Sequence, residues 1–90
     1  MKEEALKIYN NYGYKNQLKK LSEEVYEFIE AVIEFEEGIG DIKHVIEEMG
    51  DIETILYQFK EANDIKSAEI CDVVEFKLNR ECGRIENTNN

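Results

Sequence analysis

Leu21-Ser22-Glu23-Glu24-Val25-Tyr26-Glu27-Phe28 and Val45-Ile46-Glu47-Glu48-Met49-Gly50-Asp51-Ile52 align without a gap, 24 residues apart. Each sets down an acidic pair and, three residues on from its second member, another carboxylate. Between the acids, apolar residues return at steps of three and four, the period of a helix that buries one face. The two stretches therefore read as equivalent parts of two long amphipathic helices, and two such acidic sets facing each other would cage a hard divalent cation.

Working outward, the spacing predicts four helices. A first covers about residues 2–10 and ends in the polar aromatic turn Asn10-Asn11-Tyr12-Gly13-Tyr14. A second runs from about Asn16 to Glu37 and stops at Gly38-Ile39-Gly40. Asp41 stands where an N-cap would, opening a third helix to about Ala62; Asn63-Asp64 closes it and caps a fourth that runs to about Cys82, before Gly83. Residues 1–85 read as one domain and 86–90 as a polar, frayed tail.

On a helical wheel, Leu18, Leu21, Val25, Phe28, Ile29, Val32 and Phe35 form one stripe, and Ile42, Val45, Ile46, Met49, Ile52, Leu56 and Phe59 another. These are the expected core faces. Glu24 and Glu48 fall roughly 80 to 90° to the same side of their stripes, and Glu27 and Asp51 about 140 to 150°. Ala31 and Ile55 continue that flank, so it lines a cleft or a second helix interface rather than a plain solvated face. Other acidic pairs at the same spacing, such as Glu34/Glu37 and Glu69/Asp72, lack this match. Position, not number, singles out the first two sets.

Composition bounds the rest. Ninety residues, 42% of them apolar, make one small domain whose core is marginal unless a second subunit adds buried surface. Five glycines, no proline and 36% charged residues give an all-α class, a bundle of about four helices per protomer with a four-helix core completed by dimerisation. A net charge of −10 repels nucleic-acid polymers and anionic membrane surfaces. No apolar run reaches the length of a membrane span, and the first residues lack the apolar stretch of a signal peptide, so the expected location is cytoplasmic. Cys71 and Cys82 match no metal knuckle and read as reduced thiols.

The acidic sets carry the chemistry. Residues at i and i+3 share a helix face, so Glu24 with Glu27, and Glu48 with Asp51, can each present two carboxylates to one point. Magnesium (Mg2+) takes oxygen ligands and keeps several waters, which suits carboxylates from two helices plus substrate phosphate oxygens; manganese (Mn2+) can substitute. A chain this acidic meets a phosphate substrate only through bound cations. Neither a P-loop nor a GxGxxG is present, and Ser22 and Ser67 lack the surroundings of a nucleophile.

These residues resemble the MazG-like all-α nucleoside triphosphate pyrophosphohydrolases, whose signature is EExxE followed by ExxD. Glu23-Glu24-Val25-Tyr26-Glu27 and Glu48-Met49-Gly50-Asp51 match it, 20 residues apart, and the resemblance covers about residues 13–84. It implies that Glu24, Glu27, Glu48 and Asp51 coordinate magnesium and that Glu23 and Glu47 are outer residues or handle the attacking water. It further implies cleavage between the α and β phosphates, release of a monophosphate and pyrophosphate, and removal of surplus or non-standard nucleotides. Gln17 and Lys20, before the first motif, and Lys77 and Arg80, on the last helix with Arg84 a turn beyond, are the expected substrate contacts. Tyr12, Tyr14, Tyr26 and Tyr57 are the available stacking residues, and His44 is a possible cleft residue. The expected assembly is a homodimer or homotetramer. Two alternatives share the sequence features: a non-enzymatic helical module that binds a partner, and a phosphoribosyl-ATP-type pyrophosphohydrolase.

Overall fold

A computed structural model describes residues 1–89 as four helices, with no strand among them: α1 (Lys2–Tyr12), α2 (Tyr14–Glu36), α3 (Ile42–Ala62) and α4 (Ser67–Asn89). The chain is all-α, as its composition requires. Helices α2 and α3 pack as an antiparallel hairpin, and α1 lies against both, chiefly against α3. Among the described residues helix α4 packs closely against none of the other three, and Lys60 Nζ of α3 donates to Ser67 Oγ at its start at 2.8 Å.

Local chemistry sets the boundaries. Gly13 is a one-residue break between α1 and α2, with φ of 84°, and its N–H still donates to the Tyr9 carbonyl at 2.9 Å. The 10–14 stretch is therefore helical on either side of that glycine, and α2 starts at Tyr14 rather than Asn16. At the far end of α2, the N–H groups of Ile39 and Gly40 both reach the Glu34 carbonyl at 3.0 Å. Gly40 lies so close to this turn that a Cβ there would come within 2.9 Å of the Glu34 Cβ. Asp41 then caps α3 as expected, its Oδ1 accepting from the Lys43 N–H at 2.9 Å.

The start and end of α4 differ from the sequence expectation. The helix opens at Ser67, where the Glu69 carboxylate reaches back to accept from the Lys66 N–H at 2.8 Å, one half of a capping box. It continues through Gly83 to Asn89, because a glycine inside a helix weakens it without stopping it unless it takes the left-handed conformation. The polar residues 86–89 are thus helical; Asn90 lies outside the described residues.

The core coincides only in part with the predicted stripes: Val45 is buried, and Leu21, Phe28, Val32 and Ile52 are half-buried. The buried apolar residues are Ala5, Ala31, Val45 and Ile55, joined by the polar Gln17, Glu48 and Gln58. Ala31 and Ile55, on the flank beside the acids, are buried in the seam between α2 and α3, while Leu18, Val25, Ile29, Ile42, Ile46, Met49 and Leu56 are exposed. The seam is rotated toward the acidic flank on both helices. Small Ala31 lets the backbones approach there, and the bulkier half of each apolar arc is left facing out. Tyr9 of α1 packs edge to face on Phe59 of α3, centroids 6.5 Å apart, fixing one end of the three-helix unit.

Candidate metal centre

The antiparallel hairpin brings the two acidic motifs into register. Three residues up α2, from Glu24 to Glu27, match three residues back along α3, from Asp51 to Glu48. Carboxylate oxygens of Glu24, Glu27 and Glu48 lie within 4.8 Å of one another. Asp51 stands beside Glu24 at the edge of this group and interacts with it electrostatically.

The burial of these acids is uneven: Glu27 and Asp51 are exposed, Glu24 is half-buried and Glu48 is only 7% exposed. Desolvation, then the charges of Asp51, Glu27 and Glu48, push the Glu24 carboxyl up to about 7; once protonated it can hydrogen-bond to Asp51. Desolvation and then the charges of Glu27 and Asp51 also raise Glu48. His44 opposes the rise, its Nδ1 lying 3.8 Å from Glu48 Oε1 and 3.9 Å from Glu47 Oε2.

Two oxygens decide what fits here. Glu24 Oε2 and Glu48 Oε2 are buried and have no hydrogen-bond donor among the described residues. A buried carboxylate oxygen without a partner is costly. A cluster of three acids on two helices, with two orphaned oxygens, has the donor chemistry of a hard divalent cation.

A cavity of about 410 Å³ opens beside the cluster, and its walls come from three helices. Glu24 and Asp51 stand at its acidic end; Gln17, Lys20 and Gln58 line it, and Tyr12 of α1 contributes a ring. Gln17 and Lys20, the substrate contacts expected on α2, line this cavity together with Glu24 and Asp51. Gln58, with Thr54, is a cleft residue that sequence reasoning missed, although it lies seven residues after Asp51 and so on nearly the same face. A second, mostly apolar hollow of about 960 Å³ lies between α1 and α3, lined by Ala5, Ile8, Leu56 and Phe59 and bordered by Ile70. Its lining includes none of the clustered carboxylates.

The remaining expected site residues are not brought to the cluster. Glu23 and Glu47 are exposed outside the group of three. Lys77 and Arg80 are exposed on α4, which approaches the cleft nowhere within its own chain; Arg80 lies over the Phe76 ring, 5.8 Å from its centroid, and Arg84 pairs with Glu81.

A profile of the MazG nucleotide pyrophosphohydrolase domain matches residues 13–83. The chain belongs to this family. The MazG match takes in both acidic helices and most of α4, and it leaves out α1, which nevertheless supplies a wall of the cleft. No curated protein and no solved structure matches the chain. No helix among the described residues is long and apolar enough to cross a membrane.

Proposed function

We propose that this MazG-family protein hydrolyses a nucleoside triphosphate to the monophosphate and pyrophosphate, with magnesium held by Glu24, Glu27, Glu48 and Asp51. The observation that carries the reading is the clustering of three of these carboxylates with two donorless buried oxygens. When bound, magnesium supplies positive charge against the phosphates and orients a water.

The chain's own groups do the rest. The cleft beside the cluster takes the nucleoside, and Lys20 at its wall offers an ammonium to phosphate oxygens. A water oxygen attacks the α-phosphorus, the bond from that phosphorus to the oxygen bridging to the β-phosphate breaks, and pyrophosphate leaves. The proton lost by the water passes to solvent at the exposed side of the cluster, since Glu23 and Glu47 lie outside the group of three. The role that fits is removal of surplus or non-standard nucleotides in the cytoplasm.

The reading includes a second copy of the chain. The exposed apolar stripes of α2 and α3, with Ile29 48% and Ile46 59% exposed, are those a four-helix core would bury. A second copy would also bring its α4, and with it Lys77 and Arg80, against an acidic cleft short of cations. A homodimer, or a dimer of such dimers, completes both.

Pyrophosphate release from a panel of ribo- and deoxyribonucleoside triphosphates, with magnesium or with EDTA, tests the reaction in the wild type and in Glu48→Ala. Magnesium-dependent release that the substitution abolishes is the expected result. No release from any triphosphate, together with no magnesium binding, would leave a helical binding module instead.

A further inference from the structure

Gln17 and Gln58 are the most deeply buried polar side chains outside the acidic cluster, 6% and 2% exposed, and they bond across the α2–α3 seam, Gln17 Nε2 donating to Gln58 Oε1 at 2.8 Å. Two amides placed in a helix seam for one hydrogen bond stabilise little. A pair of aliphatic side chains would fill the same space without desolvating four polar groups. The bond also leaves Gln17 Oε1 and the Gln58 NH2 with no protein partner among the described residues, and neither is sealed from solvent. Both residues line the cavity that has Glu24 and Asp51 at its other end.

The spacing repeats on both helices. Gln17 precedes Glu24 by seven residues and Gln58 follows Asp51 by seven, so the amide pair lies about 10 Å, two helical turns, from the acids. That separation is of the scale of a base with its sugar when the phosphates lie at the carboxylates. Tyr12, at the cavity wall, offers a ring face to a planar group.

We propose that the Gln17–Gln58 amide pair reads the base of the nucleotide, its free carbonyl and NH2 meeting a nucleobase edge that carries a donor beside an acceptor, with Gln58 a specificity-determining residue. This deepens the function proposed above and rests on it for the placing of the phosphates. The pair holds the free atoms in a fixed geometry, since each amide is tied through its other end. A base that matches this edge gives both free amide groups a partner at once, and one that does not displaces their water without replacing its bonds.

The test has two parts. In the wild type, the side-chain NH2 signals of Gln17 and Gln58 are followed by NMR during titration with nucleoside monophosphates and magnesium. They are expected to shift, and to stay in place with ribose 5-phosphate, which lacks the base. In Gln58→Leu and Gln58→Met, kcat/KM for the preferred triphosphate should fall roughly 10- to 100-fold, mainly through KM, and the ratio between best and worst base should collapse toward one. An equal loss for every base with the ratio kept would mean that the pair only fixes helix register, and would overturn the proposal. So would amide signals that ignore the nucleotide while the wild type still releases pyrophosphate. Base-dependent amide shifts without any pyrophosphate release would instead keep the base site and remove the proposed reaction.

Discussion

Glu24 and Glu48 each hold a buried oxygen that no donor reaches, beside other carboxylates, so the metal-free fold works against its own charge. Glu24→Gln is expected to raise the melting temperature of the metal-free protein by a few degrees and to abolish hydrolysis. A lower melting temperature in the variant would mean that the carboxylate is held by bonds that stabilise the fold. The pH dependence follows from the same residue. Its folded pKa, about 7, lies above the ordinary carboxylate value of 4.5. Its favourable contribution is therefore fully present below the unfolded value and is lost as pH rises through the folded one. Without metal, the wild type should melt at lower temperature at pH 8 than at pH 5.5, as read by scanning fluorimetry. Saturating magnesium, which binds the deprotonated acids, should flatten or reverse that slope, and Glu24→Gln should reduce it. The grouping of Glu24, Glu27 and Glu48 was legible in the sequence because both the spacing and the wheel position of the acids repeat. Gln58 was not, since a single glutamine within Ile55-Leu56-Tyr57-Gln58-Phe59 changes no period. Nor was the isolation of Lys77 and Arg80 from the cleft, which depends on where a whole helix lies.

Among the elements, the helices themselves could be read closely, whereas the face each one buries could be read only in part, as at Val45. A helical wheel reports the centre of an apolar arc. Here the arc of α2 and of α3 is broad, with one edge in the seam through Ala31 and Ile55 and the other facing out at Ile29 and Ile46. The predicted stripe is the average of the two. The wheel did anticipate that the flank with Glu24 and Glu48 was more than a solvated face, because Ala31 and Ile55 continue it. Caps were equally legible at Asp41 and misleading at Gly83, where the glycine stays helical. Asp41→Ala should cost about 1 kcal/mol in guanidinium unfolding through loss of the bond to the Lys43 N–H. Gly40→Ala should cost more, because its Cβ must displace the Glu34 turn. If the two rank the other way, that turn is not held as tightly as its contacts imply.

Taken as a whole, the molecule buries only four apolar residues among those described and leaves α4 without a helix to pack closely on. Sedimentation should find a dimer or a tetramer, and Ile46→Asp should dissociate it with helicity largely kept. An unchanged mass in the variant would place the subunit contact elsewhere. The hairpin of α2 and α3 also bears on the rate of folding. Its two arms are joined by the short 37–41 link, and Glu27 and Glu48 approach each other as soon as those arms close. Repulsion between the carboxylates is then felt on the way to the folding barrier rather than after it. Magnesium should accordingly speed refolding in stopped-flow measurements while changing the unfolding limb little; the opposite pattern would mean that the acids come together only once the barrier is past.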